Sequence, residues 1–522
     1  MQEVYVNATV PGSGLFRAEE LLADTRRWLS SGDLMHATHD EVEQFATTQG
    51  RLIVNALLRD HFALRGQAEA LAPVVGADGQ ERVHVRHDAV RLLVTTVGAV
   101  PVPRVAYSGR GLSALHPTDA ELNLPEDSFS FEVRRQIAML AAEVSFERAG
   151  QQFEALTGVH VALRQVEELT RVASRDAEEF YAAGRADLAV TATSDLLVLT
   201  ADQKGIVMRH EHLRAGTREK ADASRPKLES RHTKGEKPNR KRMATVAAVY
   251  TVAPHLRSAE DVVAGLRHIK PAPDARKPGP PRPEAKRVWA SVEADLPDVI
   301  GQLFDEAERR DPLRCKQWMM VMDGDPKLEQ AARREAKRRG VKVTLVLDFI
   351  HALEYLWRAG HALHAEGTPE LEAWVLERLT ALLHGNVSNV AAGMRRSATR
   401  RGLSAAARAP IDRAANYFLK RKSMMRYDQL LALGAPIASG VIEGTCRSLV
   451  NDRLDITGAR WSVRGAEAVL RLRAILRSGD WREYWGFHTL AENDRNHASR
   501  YAGNNAPDVE IPRRHPHLRR VK

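Results

Sequence analysis

A mixed α/β sheet interrupted by an all-helical segment, and preceded by a helical and small-β N-terminal region, is the fold class that this sequence predicts. Three observations predict it. From residue 195 apolar, β-branched runs recur between long connections; residues 349–430 carry helical periodicity with no strand signal; residues 15–70 and 128–180 are helical on either side of a β-rich stretch. At roughly 150 residues per domain, 522 residues suit about three or four units. The expected divisions are a helical region (1–75), a small β module (76–125), a helix-turn-helix region (126–185), a core in two parts (190–348 and 431–490) around a helical insertion (349–430), and a basic C-terminal tail (491–522).

Taken in order, residues 15–70 place Val42, Phe45, Leu52, Ile53, Leu57 and Phe62 near helical spacing. VHVRHDAVRLLVTTVGAVPVPRVAYSG, punctuated by Gly98 and Pro101, predicts two or three short strands. SFERAGQQFEALTGVHVALRQVEELTRV divides at Thr157-Gly158 into two helices, the layout of a helix-turn-helix. The runs DLLVLTAD, GIVMRHE and ATVAAVYTVAP predict an antiparallel meander, and QWMMVMD and VKVTLVLD add strands separated by helical pattern at 287–309 and 326–339. Two polar loops interrupt the core: residues 214–242 hold eleven Lys or Arg against four acids, and residues 271–283 hold six prolines. A helix bearing Glu443, with Ser439 able to cap it, follows the helical insertion.

Composition narrows the function. Lys and Arg number 77 against 67 Asp and Glu, a formal charge of +10 that points to a polyanionic partner. The only cysteines, Cys315 and Cys446, form no CxxC pair, which excludes a disulfide scaffold and cysteine-ligated zinc. MQEVYVNATV lacks the marks of a signal peptide and no apolar run is long enough to span a membrane, so the expectation is a cytoplasmic protein.

Three acids sit where they could do chemistry together. Asp202 ends the run LLVLTAD, Asp323 ends WMMVMD, and Glu443 lies in SGVIEGTCRSLV. Two strand ends and one helix can converge on one edge of a sheet, where carboxylates repel one another unless divalent cations lie between them. A strand-end aspartate can also simply cap the following turn.

Read together, LTADQKGIVMR, VMDGDPKLEQ, LVLDFIHALEYLW, GAPIASGVIEGTCRSLVNDRL and TGARWSVRGAEAVLRLRA closely resemble the ISKra-type insertion-sequence transposases, relatives of the Mutator-like and hAT-like DDE enzymes, over residues 80–490. The resemblance implies an RNase H-like core split by the helical insertion. It also implies DNA strand cleavage and transfer by a DDE triad with two Mg²⁺ ions, for which Mn²⁺ can substitute. Asp202, Asp323 and Glu443 match the triad, with Asp325 and Asp348 as rivals for the second position. Asp325, Asp348 and His351 receive supporting roles, Asp348 and His351 through a D-x-x-H element; a capping Asp and a satisfied His are the alternative.

The resemblance implies a DNA partner, the element's terminal inverted repeats and its target, and at least a homodimer, with a nucleoid-associated location. Arg453, Arg460, Trp461 and Arg464 are the residues expected on distorted DNA near the cut, Trp461 stacking on a base or else packing on Val463 and Leu470. Arg164, Gln165 and Arg171 would face a groove from the second helix of the pair, and Lys237, Arg240, Lys241 and Arg242 would follow phosphates. Many relatives carry a cysteine-rich element where this chain reads RVAYSGRGLSALHPTDAEL, so no zinc is expected. An inactive relative acting as a DNA-binding regulator, and a nuclease that cuts without joining, are the alternatives.

Overall fold

The computed structural model describes residues 15–32, 34–184, 196–224, 240–268 and 279–512. The chain forms two compact units, Met1–Asp176 with Arg482–Lys522, and Ala177–Trp481. No helix among the described residues is long and apolar enough to cross a membrane.

The first unit opens with helices α1 (Leu15–Leu29) and α2 (His39–Arg65). Thr38 and Glu41 form a capping box at the start of α2, with the Thr38 N–H donating to the Glu41 carboxylate at 2.8 Å. After the short strand β1 (Glu69–Ala70), β2 (His84–Thr95), β3 (Gly98–Gly109) and β4 (Leu112–Leu115) form an antiparallel sheet. Its first two strands are long, because the chain reverses tightly before Gly98, which takes a φ of 106° that glycine tolerates best. Past α3 (Pro117–Glu121), helices α4 (Phe131–Glu143), α5 (Phe146–Thr157) and α6 (Leu163–Ala173) pack around Val133, Ile137, Phe153, Val166 and Leu169. The Ser130 and Ser145 hydroxyls cap α4 and α5, and Gly158 ends α5 at φ 73°, where the sequence places the break.

The second unit begins with α7 (Ala177–Ala183) and is built on one sheet of β5 (Leu196–Val207), β6 (Lys241–Val252), β7 (Glu284–Ser291), β8 (Gln317–Met322) and β9 (Val343–Leu347). The strand order is β7-β6-β5-β8-β9, with β5–β6 and β6–β7 antiparallel and β5–β8 and β8–β9 parallel. Helices α8 (Ala215–Asp222), α9 (Ala259–Leu266), α10 (Leu296–Arg310) and α11 (Pro326–Arg339) lie on the connections.

Two expectations about this sheet change. DLLVLTAD and GIVMRHE form a single strand, because β6 pairs with β5 residue for residue from Leu196↔Val252 to Val207↔Lys241. The polar residues 202–205 are that strand's half-exposed middle, not a turn. The helix expected over 287–309 starts only at Leu296, and Glu284–Ser291 is β7. Residues 287–291 are all buried, so the strand lacks the polar alternation that would mark it in the sequence.

The strand-free stretch folds as α12 (Phe349–Gly360), α13 (Pro369–Leu383), α14 (Val387–Arg400), α15 (Ala405–Lys420) and α16 (Tyr427–Ala432), whose buried Leu356, Val375, Met394 and Phe418 share one core with the sheet. The chain returns through α17 (Gly440–Cys446), a π-helical turn at Arg447–Asn451, α18 (Asp452–Leu454) and α19 (Val463–Ser478). α19 covers the edge strand β7: Val288 N–H donates to Ser478 Oγ at 3.0 Å and Val292 N–H to Glu467 Oε2 at 2.9 Å.

Residues 491–512 are not a separate tail, and the break falls after Trp481 instead of residue 490. α20 (Trp481–Asn496) buries Tyr484, His488, Glu492 and Asn496 in the first unit, and β10 (Val509–Glu510) pairs with β1. Buried Arg134 donates to Glu492 Oε2 at 2.7 Å, which ties α4 to α20.

In the second unit, buried Glu306 receives Arg309 at 2.8 Å and Arg310 at 2.7 Å, with Arg287 beside them. Burial alone would raise its carboxyl, but Arg287, Arg310 and Arg309 outweigh it and hold it at about 2. A carboxyl depressed in the folded state stabilises above its unfolded value and loses that stabilisation as pH falls toward the folded one. The unit is therefore expected to lose on the order of 3 kcal/mol from this group between pH about 4.5 and about 2. Urea-unfolding midpoints across that range check it: Glu306→Gln lowers stability at neutral pH and flattens the acid limb, and an equally steep limb in the variant would refute the assignment.

Candidate active site

Strands β5 and β8 run in parallel register from Leu196↔Gln317 to Thr200↔Val321. Two residues further along each chain segment stand Asp202, still within β5 at the point where the strand's full burial ends, and Asp323, just past the end of β8. α17 packs against β5 and β6 and carries Glu443 exposed. Cys446, three residues on, donates from its thiol to Asp202 Oδ2 at 3.4 Å. Lys204 projects from the same face of β5 as Asp202 and places Nζ 3.1 Å from Oδ2.

These groups feel one another's charge. Burial and then the Asp202 charge hold the Asp323 carboxyl above its ordinary value, against the Asp325 N–H that donates to Oδ1 at 2.8 Å. Burial would lower the Lys204 ammonium, but Asp202, with Cys446 and Glu443, holds it above its ordinary value. Burial and Asp202 push the Cys446 thiol up. The site is thus three carboxylates with one ammonium among them. Asp202, Asp323 and Glu443 do not each bring an oxygen within 4.8 Å of the others; among the described residues the group that does is Asp176, His488 and Glu492. That group lies in the first unit, and Arg134, Arg175 and Arg495 already occupy its two carboxylates, which makes it an ion-pair network.

The three supporting residues do different work. Asp325 caps α11, its Oδ1 accepting the Lys327 N–H at 2.7 Å and the Leu328 N–H at 3.2 Å. Asp348 is buried and caps α12 through the Ile350 N–H at 2.7 Å, while its other oxygen accepts the Ser439 N–H at 3.0 Å and the Ser439 hydroxyl. Ser439 therefore does not cap α17 with its side chain, as the sequence suggests; its hydroxyl is turned to Asp348. His351 is in the first turn of α12, 3.7 Å from Glu354.

The helical insertion grips the turn that carries Asp323. Tyr417 Oη donates to the Asp323 carbonyl at 2.6 Å, and Arg421 Nε donates to the Gly324 carbonyl at 2.8 Å. Tyr355 stacks on Tyr417 at 3.9 Å, and the Arg421 guanidinium lies over the same ring at 4.1 Å. Gly324 has φ 82°, and a Cβ there would stand 2.5 Å from Arg421 Nε, so a larger residue would strain the turn and displace Arg421. Lys204, Cys446, Tyr417 and Arg421 were not singled out in the sequence. The spacing to Asp202 and to Glu443 could have found the first two; no local pattern marks the others.

The expected DNA contacts divide. Arg460 and Arg464 are exposed, whereas Trp461 is 6% exposed, donates from Nε1 to the Leu454 carbonyl at 3.1 Å, and pairs its backbone with Val207 and Arg209. Arg453 is buried with its guanidinium 4.8 Å over the indole. Trp461 and Arg453 are thus core residues, because an arginine can pack its planar group on an indole where a sequence pattern suggests phosphate contact. On α6, Arg164, Gln165 and Arg171 are exposed, with Arg171 paired to Glu168 and Gln165 accepting the Ala162 N–H. Lys241 pairs with Asp455 at 2.7 Å, half-buried Arg242 donates to the Val292 carbonyl at 2.7 Å, and Arg240 is half-buried at the entry to β6. In the free chain Lys241 and Arg242 are thus engaged by Asp455 and the Val292 carbonyl; Lys237 lies outside the described residues.

No protein-family model matches the chain, and no curated protein matches it.

Two substitutions check this arrangement. Trp461→Ala is expected to cost about 3 to 5 kcal/mol, as for a buried aromatic, and to lower the melting temperature by several degrees; a melting curve within a degree or so of wild type would return the indole to the surface. Tyr417→Phe removes one hydrogen bond to the Asp323 carbonyl at a cost of about 1 kcal/mol and is expected to leave the fold intact. The Asp323 backbone N–H, followed by hydrogen exchange, should then open faster, and unchanged exchange would argue against the clamp.

Proposed function

We propose that the chain is a DNA transposase of an insertion sequence, which binds terminal inverted repeats and cleaves and joins strands at Asp202, Asp323 and Glu443. The observation that carries this reading is the placement of Asp202 and Asp323 at equivalent positions just beyond the registered pairing of adjacent parallel strands in a mixed five-stranded sheet, with Glu443 on the helix packed against β5. The all-helical excursion between β9 and α17 supports an RNase H-like core split by an insertion, and the α4–α6 bundle supports a DNA-binding role for the first unit, while the positive charge of the chain is concentrated in the second.

The three carboxylates are hard oxygen donors, which suit Mg²⁺ or Mn²⁺, and the one thiol beside them, Cys446, is pushed up by burial and donates to Asp202. Burial, and then the Asp202 charge, raise Asp323, and a divalent cation would offset the repulsive part of that cost. Asp202, Asp323 and Glu443 would hold two Mg²⁺ ions, which supply activation of the attacking hydroxyl and support of the departing 3′ oxygen of a phosphodiester. The chain's own part is positional. Tyr417 and Arg421 fix the turn of Asp323 by its carbonyls, and Asp348 fixes the entry to the helix of Glu443. Joining both element ends to a target calls for at least two copies of the chain.

Labelled duplexes from the DNA flanking the coding sequence, incubated with the full chain, Mg²⁺ and a target plasmid, test the proposal. Binding, nicking and joining are expected, and Asp202→Asn, Asp323→Asn or Glu443→Gln should each slow cleavage by about a thousandfold or more while binding holds. Cutting without joining would make the chain a nuclease, and binding without cutting a regulator.

A further inference from the structure

The first unit contains a cavity of about 470 Å³ whose wall includes Arg91, Arg104, His116, Asp119, His497 and Arg500. That volume is in the range of small-molecule pockets, but the lining is charged where such pockets are mostly apolar. The charges are unevenly matched. Asp119 is buried and already shared, with Arg104 paired to Oδ2 and Arg91 Nη1 at 3.9 Å. Asp127, also on the wall, turns its carboxylate to Arg134 at 2.8 Å and to the Phe129 N–H at 2.9 Å. Glu126 reaches Arg500 only at 3.9 Å, with both side chains more than half exposed, an arrangement worth little in water. Two mostly buried guanidiniums therefore face one carboxylate, with a third at the mouth.

The neighbours register the surplus. Burial holds Arg91 below its ordinary value, against the charges of Asp119 and Asp127, whereas His116 is held down by burial and then by the like charge of Arg104, with Asp119 opposing. An anion would relieve this, and the arginine fork matches phosphate oxygens two at a time.

We propose that this cavity binds the phosphate group of a nucleotide, with Arg91 and Arg500 as its contacts and Arg104 held on Asp119 behind them. The phosphate belongs either to a bound DNA strand or to a free nucleotide, and only the first source rests on the DNA-binding reading of this unit.

The full chain, titrated with AMP and with a labelled duplex of random sequence, separates the two sources. Arg91→Ala and Arg500→Ala are compared with Arg86→Ala, which removes an exposed arginine of the same sheet outside the cavity. If the phosphate is a strand's, each cavity variant weakens duplex binding by about tenfold and lowers the slope of log affinity against log salt by about one, and Arg86→Ala does neither. If it is a free nucleotide's, AMP saturates and raises the melting temperature, the cavity variants abolish this, and duplex binding is unaffected. The inference is overturned if both probes bind the cavity variants as they bind Arg86→Ala. Duplex binding that survives both variants, without AMP binding, would sink the cavity and spare the DNA-binding reading; AMP binding through Arg91 without duplex binding would do the reverse. Arg500, with a side chain 53% exposed, keeps the test decisive should Arg91→Ala fail to fold.

Discussion

One buried carboxylate holds the two ends of the helical excursion together. The chain leaves the sheet at Leu347 and returns only at Gly440, and a helix that comes back from so far carries Glu443 to the sheet edge only if its entry is fixed. Asp348 fixes it. One oxygen caps α12 and the other takes both the N–H and the hydroxyl of Ser439, while the Asp348 N–H donates to the Met322 carbonyl and the Phe349 N–H to that of Ile437. The end of β8, the start of the insertion and the start of α17 thus meet at two adjacent residues. A buried charge is costly unless fully hydrogen-bonded, so this arrangement tolerates few alternatives and specifies the return path.

The sequence made the parts of this frame legible but not the joints. Strong helical periodicity fixed α11 and the strand-free 349–430, and short apolar runs bounded by polar residues fixed β8 and β9. β7 was hidden because its buried half has no alternation, and β5 was read as two strands because its polar middle resembles a turn until β6 is seen alongside it. Asp202, Asp323 and Glu443 stand out in the sequence as acids at element ends, yet the elements alone do not say that β5 and β8 are neighbours. That adjacency comes from packing at long range, which no local pattern carries.

Charge misled the sequence reading where burial decided the role. Arg453, Arg460 and Arg464 around Trp461 suggest a phosphate-facing turn, but the long arginine side chain also serves as a flat apolar surface, and Arg453 uses it to roof a buried indole. Arg242 reads as part of a basic loop and is spent on the Val292 carbonyl. At the C-terminus, residues taken for a basic tail include Glu492 and Asn496, polar side chains that the first unit buries because Arg134, Arg175 and Arg495 meet Glu492 and Asn496 donates to it. For Arg242 and Glu492 the deciding partners lie far away in sequence, at Val292 and at Arg134 and Arg175.

The contacts at the sheet edge also divide their labour in a consistent way. Tyr417, Arg421 and Tyr427 all donate to main-chain carbonyls, of Asp323, Gly324 and Leu347. They set the backbone and leave the carboxylates to weaker company: a neutral N–H for Asp323, and a thiol and a half-exposed lysine for Asp202. Had the guanidinium of Arg421 paired with Asp323 instead, it would have satisfied that acid and removed it from any exchange of partners. A flexible ammonium at a half-exposed position is a replaceable counterion, since such pairs contribute little and are screened by salt. Rigid backbone with loosely compensated carboxylates is an arrangement that costs some stability at the edge and keeps its negative charge available, and the frame through Asp348 and Tyr417 is what allows the fold to carry that cost.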